Sequence, residues 1–574
     1  MQFSAKQVTL RPLSRSIYVP GPVEEIEVKT AARGGGPNSS GFSCLLALLL
    51  LARMTSCWAA NPTYEENLKP GDFGWQPDSP THFPAAFDEV GYIKGYASAA
   101  SVNKGESLSF YVSVNAGADS RYSIRIYRLG YYAGKGGRLM LDYPASGYAR
   151  GFRQSPCTMN PGPPLGDGMV QCNWAVSYVL TVPQSWTSGV YVAKLVLKTP
   201  VSDVPNYNYV VFTVRDDARI AAMRYQQPVA TYQAYNKFGG SSLYGCYVTA
   251  CTQGRPAYKE SFDRPYAVDG ASSLYALEEP FIFWLEQQGY DVAYGTDLDT
   301  QVDGRRLLQS KIVLMAGHSE YWSRQMYDAV ESARDAGVNL MFLGGNTAYW
   351  QARFEPNPSS GVPNRVVVVY RTAQADPTLE PALKTINWRN LGRPEQSLLG
   401  LQWGNGKDYL SRQDGLPWVV RNANQWAYAG TGLSEGEAIP GIIGQEWDSV
   451  YPDAYGTVPD YVGRTGTLPP GRTAVDPPSL SFDVIEHSDL LASQVQYSPP
   501  RYDLPLTTDA VIYQSLSGAY VFSAGSVLWG RLMRASTPLQ IMTRNVFNKM
   551  LANKPQRLDI AVVDAINNVL VLQD

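Results

Sequence analysis

The stretch KIVLMAG at residues 311–317 is followed by HSEYW at 318–322, and the stretch VNLMFL at 338–343 is followed by GGNTAYW at 344–350. Each is an apolar run that reaches glycine and continues into polar and aromatic residues. Apolar runs of this length between helical patterns predict buried parallel strands. Ligands of open α/β sheets bind at the carboxyl ends of such strands. We therefore expect polar side chains of both motifs to meet in one crevice.

The residues between the two stretches predict a connecting helix. Ser323 is a favourable N-cap, apolar residues follow at helical spacing, and Gly337 ends the helix directly before the second strand. This pattern is a βαβ unit, so the two strands are expected to be parallel neighbours. An earlier helix over 275–288, with Gly289 at its end, and a strand over 291–295 continue the same pattern.

The chain divides into four regions by pattern. Residues 1–60 form a leader, and residues 61–90 are polar and proline-rich, which predicts a linker. Short alternating strands over 91–217 predict an all-β sandwich domain. Residues 218–574 predict an α/β domain with a mostly parallel sheet, interrupted by an insertion over about 352–440.

The leader contains an apolar run followed by small residues. Segment 42–60 resembles the apolar region and cleavage site of a signal peptide, with cleavage expected after Ala60. Its distance from Met1 indicates a downstream start or a long leader. The segment 54–57 offers a lipoprotein-type alternative, and a buried helix in a tail is the remaining interpretation. The run is too short to span a bilayer, so we expect a secreted or periplasmic protein without a transmembrane span.

The composition narrows the classes of function. Hydrophobic residues make up 44% of the chain and charged residues 17%, with a net charge of -3 and no long basic tract. These values are typical of a globular protein and argue against a nucleic-acid partner. The chain has only three histidines, so a metal site built from several histidines is not expected. It carries no Gly-x-Ser-x-Gly elbow, HExxH motif or P-loop.

Four cysteines remain once the leader is set aside. They lie in two local pairs, Cys157 with Cys172 and Cys246 with Cys251. In an oxidising compartment such pairs predict two disulfides. A catalytic thiol at Cys246 or Cys251 is the alternative interpretation, which pairing would exclude.

The two motifs and a later segment, GQEWD at 444–448, offer oxygen donors to a metal. Phenolates and carboxylates are hard ligands that suit a hard cation without needing imidazole. Aromatic packing is the alternative explanation for the two Tyr-Trp pairs. The candidate residues are His318, Glu320, Tyr321, Tyr349, Glu446 and Asp448.

Six motifs in this order, spread over about 91–532, resemble the N,N-dimethylformamidase large-subunit family. The resemblance implies a catalytic domain similar to class I glutamine amidotransferases, without their cysteine nucleophile. It also implies a mononuclear non-haem iron held by two tyrosines and one glutamate. The motifs are YRLGYY at 127–132, QCNW at 171–174, TYQAYN at 231–236, SFDRPY at 261–266, GHSEYW at 317–322 and GGNTAYW at 344–350.

Carried over by motif, the resemblance implies the iron ligands Tyr321, Tyr349 and Glu446, with Glu320 as the competing carboxylate. His318 and Glu320 would then act in proton transfer.

Asn346 would donate a hydrogen bond to the substrate carbonyl or shape the turn after its strand. The segment 232–244 is expected to form one wall of the crevice. Within and around this crevice the predicted substrate-binding residues are Tyr235, Asn236, Trp322 and Trp350.

The sequence thus predicts an exported metal-dependent hydrolase that cleaves the C–N bond of a small-molecule amide. A small subunit or a homo-oligomeric partner is possible within this hypothesis, because the family's activity belongs to an assembly. One alternative is a non-catalytic cell-surface or carbohydrate-binding protein on the same fold. The other is a cysteine hydrolase that uses Cys246 or Cys251.

Overall fold

A computed structural model describes residues 61–77, 92–117, 119–199, 206–246, 255–405, 415–444, 446–449, 489–495 and 506–555. The described residues belong to one compact unit, which begins at Asn61. The signal-peptide-like segment 42–60 lies outside the described residues. Within those ranges, no helix combines the length and apolarity needed to cross a membrane.

The first part of the described chain contains a small two-stranded sheet and two larger sheets. Of the larger sheets, one has the order β1-β3-β9, and the other has the order β2-β11-β10-β4-β5 with β6 beside β4. Their inward residues form one hydrophobic cluster, in which the rings of Phe110 and Phe212 lie 5.7 Å apart. The strands are β1 Ile93–Ala97, β2 Ser101–Asn103, β3 Ser107–Val114, β4 Arg121–Leu129, β5 Gly137–Tyr143, β6 Ala149–Arg150, β7 Thr158–Met159, β8 Val170–Gln171, β9 Tyr178–Thr181, β10 Gly189–Leu197 and β11 Tyr207–Arg215.

A disulfide joins Cys157 to Cys172, as the spacing predicts. It closes the loop that carries β7 and β8, which pair with each other. The predicted pairing of Cys246 with Cys251 lies outside the described side chains.

The second part is organised around a seven-stranded sheet with the order β16-β12-β17-β19-β28-β27-β26. The first four pairings are parallel and the last two antiparallel. Its strands are β12 Ala221–Gln227, β16 Val292–Thr296, β17 Ser310–Gly317, β19 Asn339–Gly344, β26 Asp489–Val495, β27 Leu506–Gln514 and β28 Tyr520–Ser523. The prediction that β17 and β19 are parallel neighbours is confirmed.

Shorter strands complete the second part. They are β13 Ser241–Ser242, β14 Gly245–Cys246, β15 Lys259–Ser261, β18 Tyr321–Ser323, β20 Trp350–Glu355, β21 Val366–Val368, β22 Gln402–Asn405, β23 Leu416–Val419, β24 Ala438–Ile443 and β25 Trp447–Ser449. Four of them form a sheet with the order β15-β21-β20-β18. In it, Tyr321 pairs with Trp350 in parallel register, which ties the ends of the two motifs together.

Helices flank the seven-stranded sheet. Ser323 caps α5 by accepting a hydrogen bond from the Met326 amide, and Gly289 follows α3 with a φ of 73°, both as predicted. A π-helical turn over Leu274–Glu278 precedes α3, where the spacing predicts continuous α-helix. The helices are α1 Pro62–Asn67, α2 Val229–Ala234, α3 Glu279–Gln287, α4 Asp297–Val302, α5 Arg324–Asp335, α6 Gln396–Leu399 and α7 Thr537–Ala552.

The segment predicted as a linker contributes α1, and α1 is anchored to both parts of the chain. Asn67 accepts hydrogen bonds from the backbone amides of Tyr131 and Tyr132 and donates one to Glu286 on α3. Glu286 also forms a fully buried ion pair with Arg128 of β4. With its sheets and flanking helices, the chain is a mixed α/β protein. Its likeness to the glutamine amidotransferase fold stays a prediction.

Candidate metal centre

The carboxyl ends of β17 and β19 define the position of the site. Gly317 ends β17 with a φ of 79°, a conformation that favours glycine. A Cβ on Gly345 would lie 2.8 Å from the carbonyl oxygen of Glu446. Glycine at this position therefore permits the close approach of the segment that carries Glu446.

Glu320 is the centre of a cluster of phenol groups. Its side chain accepts a hydrogen bond from the Tyr235 hydroxyl at 2.7 Å. The Tyr244 hydroxyl lies 2.8 Å from both carboxylate oxygens and donates to them. The rings of Tyr235 and Tyr244 stack with centroids 4.2 Å apart. The Glu320 backbone amide donates to Thr231 Oγ1 at 2.9 Å, so the carboxylate is held from both ends.

A second carboxylate approaches from the other side of His318. Nε2 of His318 lies 2.8 Å from Oε2 of Glu446 and 3.4 Å from Oε2 of Glu320. Asn346 Nδ2 donates to Glu446 Oε2 at 2.8 Å, and its backbone amide donates to Asp448 Oδ1 at the same distance. One cluster thus contains the ends of β17 and β19 and the segment 446–449. The sequence predicted that the two strand ends would meet.

Two buried polar atoms of this cluster lack a hydrogen bond within the described chain. They are Nε2 of His318, whose contacts with the carboxylates do not meet hydrogen-bond geometry, and Oδ1 of Asn346. Asn346 also has a φ of 51°, in the left-handed region, which costs free energy in a residue other than glycine. Buried polar groups are normally paired, so the Asn346 oxygen points to a ligand as its partner. His318 Nε2 already faces the Glu446 carboxylate at 2.8 Å.

The electrostatics of the cluster shift the titration of its members. Burial and the charge of Glu446 raise the pKa of Glu320 above its usual range. Burial also raises the pKa of Asp448 to about 7. Burial by itself favours neutral His318, but Glu446, Glu320 and Asp448 outweigh it and raise the pKa of the imidazole. Crowded carboxylates with raised pKa values are typical of functional sites.

One side of the cluster is accessible. The side chain of Glu446 is 22% exposed and that of His318 13%, whereas Glu320 is 3% exposed. His318 and Glu446 therefore form the more exposed edge of the cluster. His318, Glu320, Glu446 is also the group of potential metal ligands that the described residues bring within 4.8 Å of one another.

Tyr321 links this cluster to an arginine. Its hydroxyl donates to the Tyr244 hydroxyl at 2.8 Å and accepts from Arg371 Nη2 at 3.1 Å. The Arg371 guanidinium also lies over the rings of Tyr244 and Trp350, at 4.5 and 5.6 Å from their centroids. Burial raises the pKa of Tyr321 above its usual range.

The remaining predicted site residues occupy other surroundings. The ring of Tyr349 packs edge-on against Trp350 and Trp403. Trp322 is buried in the core, where its indole donates to Ser319 Oγ. The side chain of Asn236 binds the backbone of the 238 and 265–267 segments.

Trp322 and Asn236 were predicted to bind substrate, and the contacts instead give them roles in packing and loop structure. Buried indole and amide groups need internal hydrogen-bond partners, which explains both positions. Trp350 and Tyr235 do lie at the cluster. Sequence reasoning did not name Tyr244 or Arg371 as site residues, although Tyr244 is the last residue of the predicted crevice wall.

Within the described residues, this mixed α/β fold brings together a histidine and two glutamates that could hold a metal ion. The model of the family described as N,N-dimethylformamidase beta subunit-like, C-terminal, matches residues 123–541. The chain belongs to this family, which suggests a hydrolase that acts on an amide.

The other comparisons add no function. No curated protein matches the chain. Among solved structures, a family 123 glycoside hydrolase from Clostridium perfringens is 7% identical, with a TM-score of 0.11. That match covers 50% of this chain and 53% of the other, about half of each, and a score this low supports no conclusion about fold or activity.

Proposed function

We propose that the protein is an exported, iron-dependent hydrolase that cleaves the C–N bond of a small-molecule amide. The observation that carries the proposal is the meeting of two phenols, three carboxylates and one imidazole at the accessible ends of β17 and β19. Membership of the dimethylformamidase-like family supports the reaction class.

The donor set fits a hard cation. Family resemblance calls for two tyrosines and one glutamate, and Tyr235, Tyr244 and Glu320 have their oxygen atoms within hydrogen-bond distance of each other. We propose these three as the set that the geometry favours. The sequence-derived set of Tyr321, Tyr349 and Glu446 stays the competing proposal. The unpaired Oδ1 of Asn346 supports a ligand at this position under either set.

A bound iron would act as a Lewis acid that polarises an amide carbonyl and lowers the pKa of a water molecule. The chain's own residues supply the rest. His318, between Glu446 and Glu320, holds a proton at Nε2 that can pass to the leaving amine. Asn346 fixes the orientation of Glu446 through its side-chain amide. The aromatic wall of Tyr235 and Tyr244 limits the access of water.

Export is the second element of the proposal. The Cys157–Cys172 disulfide supports an oxidising compartment, and segment 42–60 supplies a candidate signal. A small subunit or a second copy of the chain stays a proposal taken from the family's assembly.

The decisive experiment is metal analysis of the purified protein with its visible absorption spectrum. We expect about one iron per chain, by family resemblance, and a tyrosinate-to-iron charge-transfer band. Tyr235→Phe and Tyr244→Phe should lose the iron or shift the band. In the competing set, Tyr321→Phe and Tyr349→Phe would do so instead. Trp418→Phe, in the core away from the cluster, is the control for nonspecific destabilisation.

Each outcome has a consequence. A protein that takes up no iron on reconstitution contradicts the proposal and favours a non-catalytic binding protein. A thiol titration that finds free Cys246 or Cys251, together with thiol-dependent activity, would favour a cysteine hydrolase. If the protein binds iron but hydrolyses none of a panel of small amides, the metal site stands and the proposed reaction is contradicted.

A further inference from the structure

Arg371 carries a positive charge at the edge of the candidate metal centre that no carboxylate of the described residues contacts directly. Its side chain makes one hydrogen bond in the described chain, from Nη2 to the Tyr321 hydroxyl at 3.1 Å. It has no ion pair within those residues. The other N–H groups of the guanidinium are therefore available to a ligand.

A nearby arginine shows what a structural role looks like in this sheet. Arg353 on β20 forms a two-pronged ion pair with Asp376, at 2.7 and 2.9 Å. Its guanidinium is also bound by the Leu383 carbonyl oxygen at 2.7 Å. Fork-shaped pairing with a carboxylate is the geometry for which arginine is suited. Arg371 offers the same fork but faces no carboxylate of the described chain.

The nearest acid in the cluster does not neutralise Arg371 directly. Glu320 is separated from it by two phenol groups: Arg371 binds the Tyr321 hydroxyl, which binds the Tyr244 hydroxyl, which binds Glu320. The guanidinium is also fixed between aromatic rings, 4.5 Å above Tyr244 and 5.6 Å from Trp350. A rigid, partly buried cation next to a reactive centre is suited to bind an anion.

The backbone at Arg371 adopts an uncommon conformation. Its φ is 64°, a left-handed value that residues other than glycine rarely adopt. Two hydrogen bonds hold this segment: the Arg371 amide donates to the Thr385 carbonyl, and the Tyr370 amide donates to Thr385 Oγ1, each at 2.8 Å.

From these contacts we propose that Arg371 binds a carboxylate group of the substrate, so that the natural substrate is an amide that carries a negative charge. The inference rests on the proposed hydrolase function and specifies its substrate class. Arg371 is then a specificity-determining residue, which orients the amide toward Glu320 and His318 by holding the other end of the molecule.

Carboxylate binding can be measured without turnover. Calorimetry on the iron-loaded protein would compare succinate with its neutral diamide, succinamide, at fixed ionic strength. The wild-type protein should bind succinate about ten- to a hundredfold more tightly, as expected for hydrogen bonds to a charged group. Arg371→Gln should abolish most of this preference. Arg371→Lys should retain part of it, since the charge remains and the fork is lost.

Arg324→Gln is the matched control, because it removes an arginine on α5 that only pairs loosely with Asp328 and Glu380, at 3.7 and 3.6 Å in the described chain. It should leave the preference unchanged. Circular dichroism and the melting temperature check that Arg371→Gln folds. If that variant does not fold, Arg371→Lys and a direct competition of succinate with succinamide on the wild-type protein still decide the question.

Kinetics extend the test to substrates. N-formylglycine and N-formylglycinamide differ in one terminal group, a carboxylate against a neutral carboxamide, and release of formate follows cleavage of the amide they share. For the charged compound, Arg371→Gln should raise KM about ten- to a hundredfold with a smaller change in kcat, and for the neutral compound it should change KM little. A wild-type preference for the neutral compounds, or a succinate preference that survives in Arg371→Gln, would overturn the proposal. Succinate binding that depends on Arg371 without any amide hydrolysis would instead retain the anion site and reject the hydrolase function.

Discussion

Glu278 and Glu320 are both buried carboxylates that accept hydrogen bonds from two tyrosines. Glu278 is bound by the hydroxyl of Tyr225 at 2.6 Å and by that of Tyr232. Glu320 is bound by Tyr235 and Tyr244. The donor sets are identical in type and lie on either side of the end of β17.

The surroundings of the two carboxylates differ. Around Glu278 the hydrogen bonds continue inward, because Gln227 donates to Tyr232 and in turn accepts from Thr213. Around Glu320 lie a histidine and a second carboxylate, and buried polar atoms there remain unpaired. Two phenols and a glutamate therefore do not make a metal centre by themselves. A buried amide oxygen without a partner, next to the partly exposed side chains of His318 and Glu446, distinguishes the candidate site from a satisfied core network.

The largest effect that separates the two clusters should come from the carboxylates. Glu320→Gln should lower amide hydrolysis by about 10²–10⁴-fold and remove iron, because it deletes a charged donor at the reacting centre. Glu278→Gln should leave iron content and hydrolysis within a few-fold of wild type. Steady-state kinetics and metal analysis check both. If both variants lost iron and hydrolysis to the same extent, the Glu278 cluster would also be part of the functional site.

The histidine tests the proton-transfer role. His318→Gln preserves a polar side chain next to Glu446 but cannot carry the proton, so kcat should fall by about 10²-fold or more. Iron content should change less than in Glu320→Gln. The measurement is kcat together with iron stoichiometry. Unaltered kcat would assign His318 to packing or to capping of the strand end.

Deleting single hydroxyl groups sharpens the comparison. Tyr244→Phe should weaken iron binding about tenfold or more, whereas Tyr225→Phe should leave iron in place and lower the free energy of unfolding by about 1–3 kcal/mol, because Glu278 loses a buried partner. Iron competition with a chelator and urea denaturation measure the two effects. Loss of iron in Tyr225→Phe would extend the metal site to the Glu278 cluster.

The smallest expected effect concerns pH. Burial raises the pKa of Glu278 to about 7, so the folded state retains its proton over a range where the unfolded chain has lost it. This contribution to stability is complete below pH 4.5 and is lost as the pH rises to about 7. Its size should be on the order of 1–3 kcal/mol. Denaturation of Glu278→Gln against wild type at several pH values should show a flatter dependence, and parallel curves would contradict the assignment.

The sequence predicted part of the site because local rules govern it. Strand β17, helix α5 with its Ser323 cap and strand β19 follow from periodicity and capping. Parallel strands end at one edge of a sheet, so five residues were expected to meet in one crevice: His318, Glu320, Tyr321, Asn346 and Tyr349. Of these, the ring of Tyr349 packs against Trp350 and Trp403. The sequence could not show that the Trp322 ring lies in the core, because alternating residues along a short strand face opposite sides and the pattern does not tell which side is buried.

By itself, the sequence determined the βαβ unit, the family, the Cys157–Cys172 pairing and the strand-end residues, because these depend on short-range patterns. Only the tertiary structure decided that Tyr244 faces Glu320 and that Arg371 lies against Tyr321. Those residues come from irregular segments far apart in the chain. Their side-chain directions are fixed by packing and by strained backbone rather than by any period that a sequence displays.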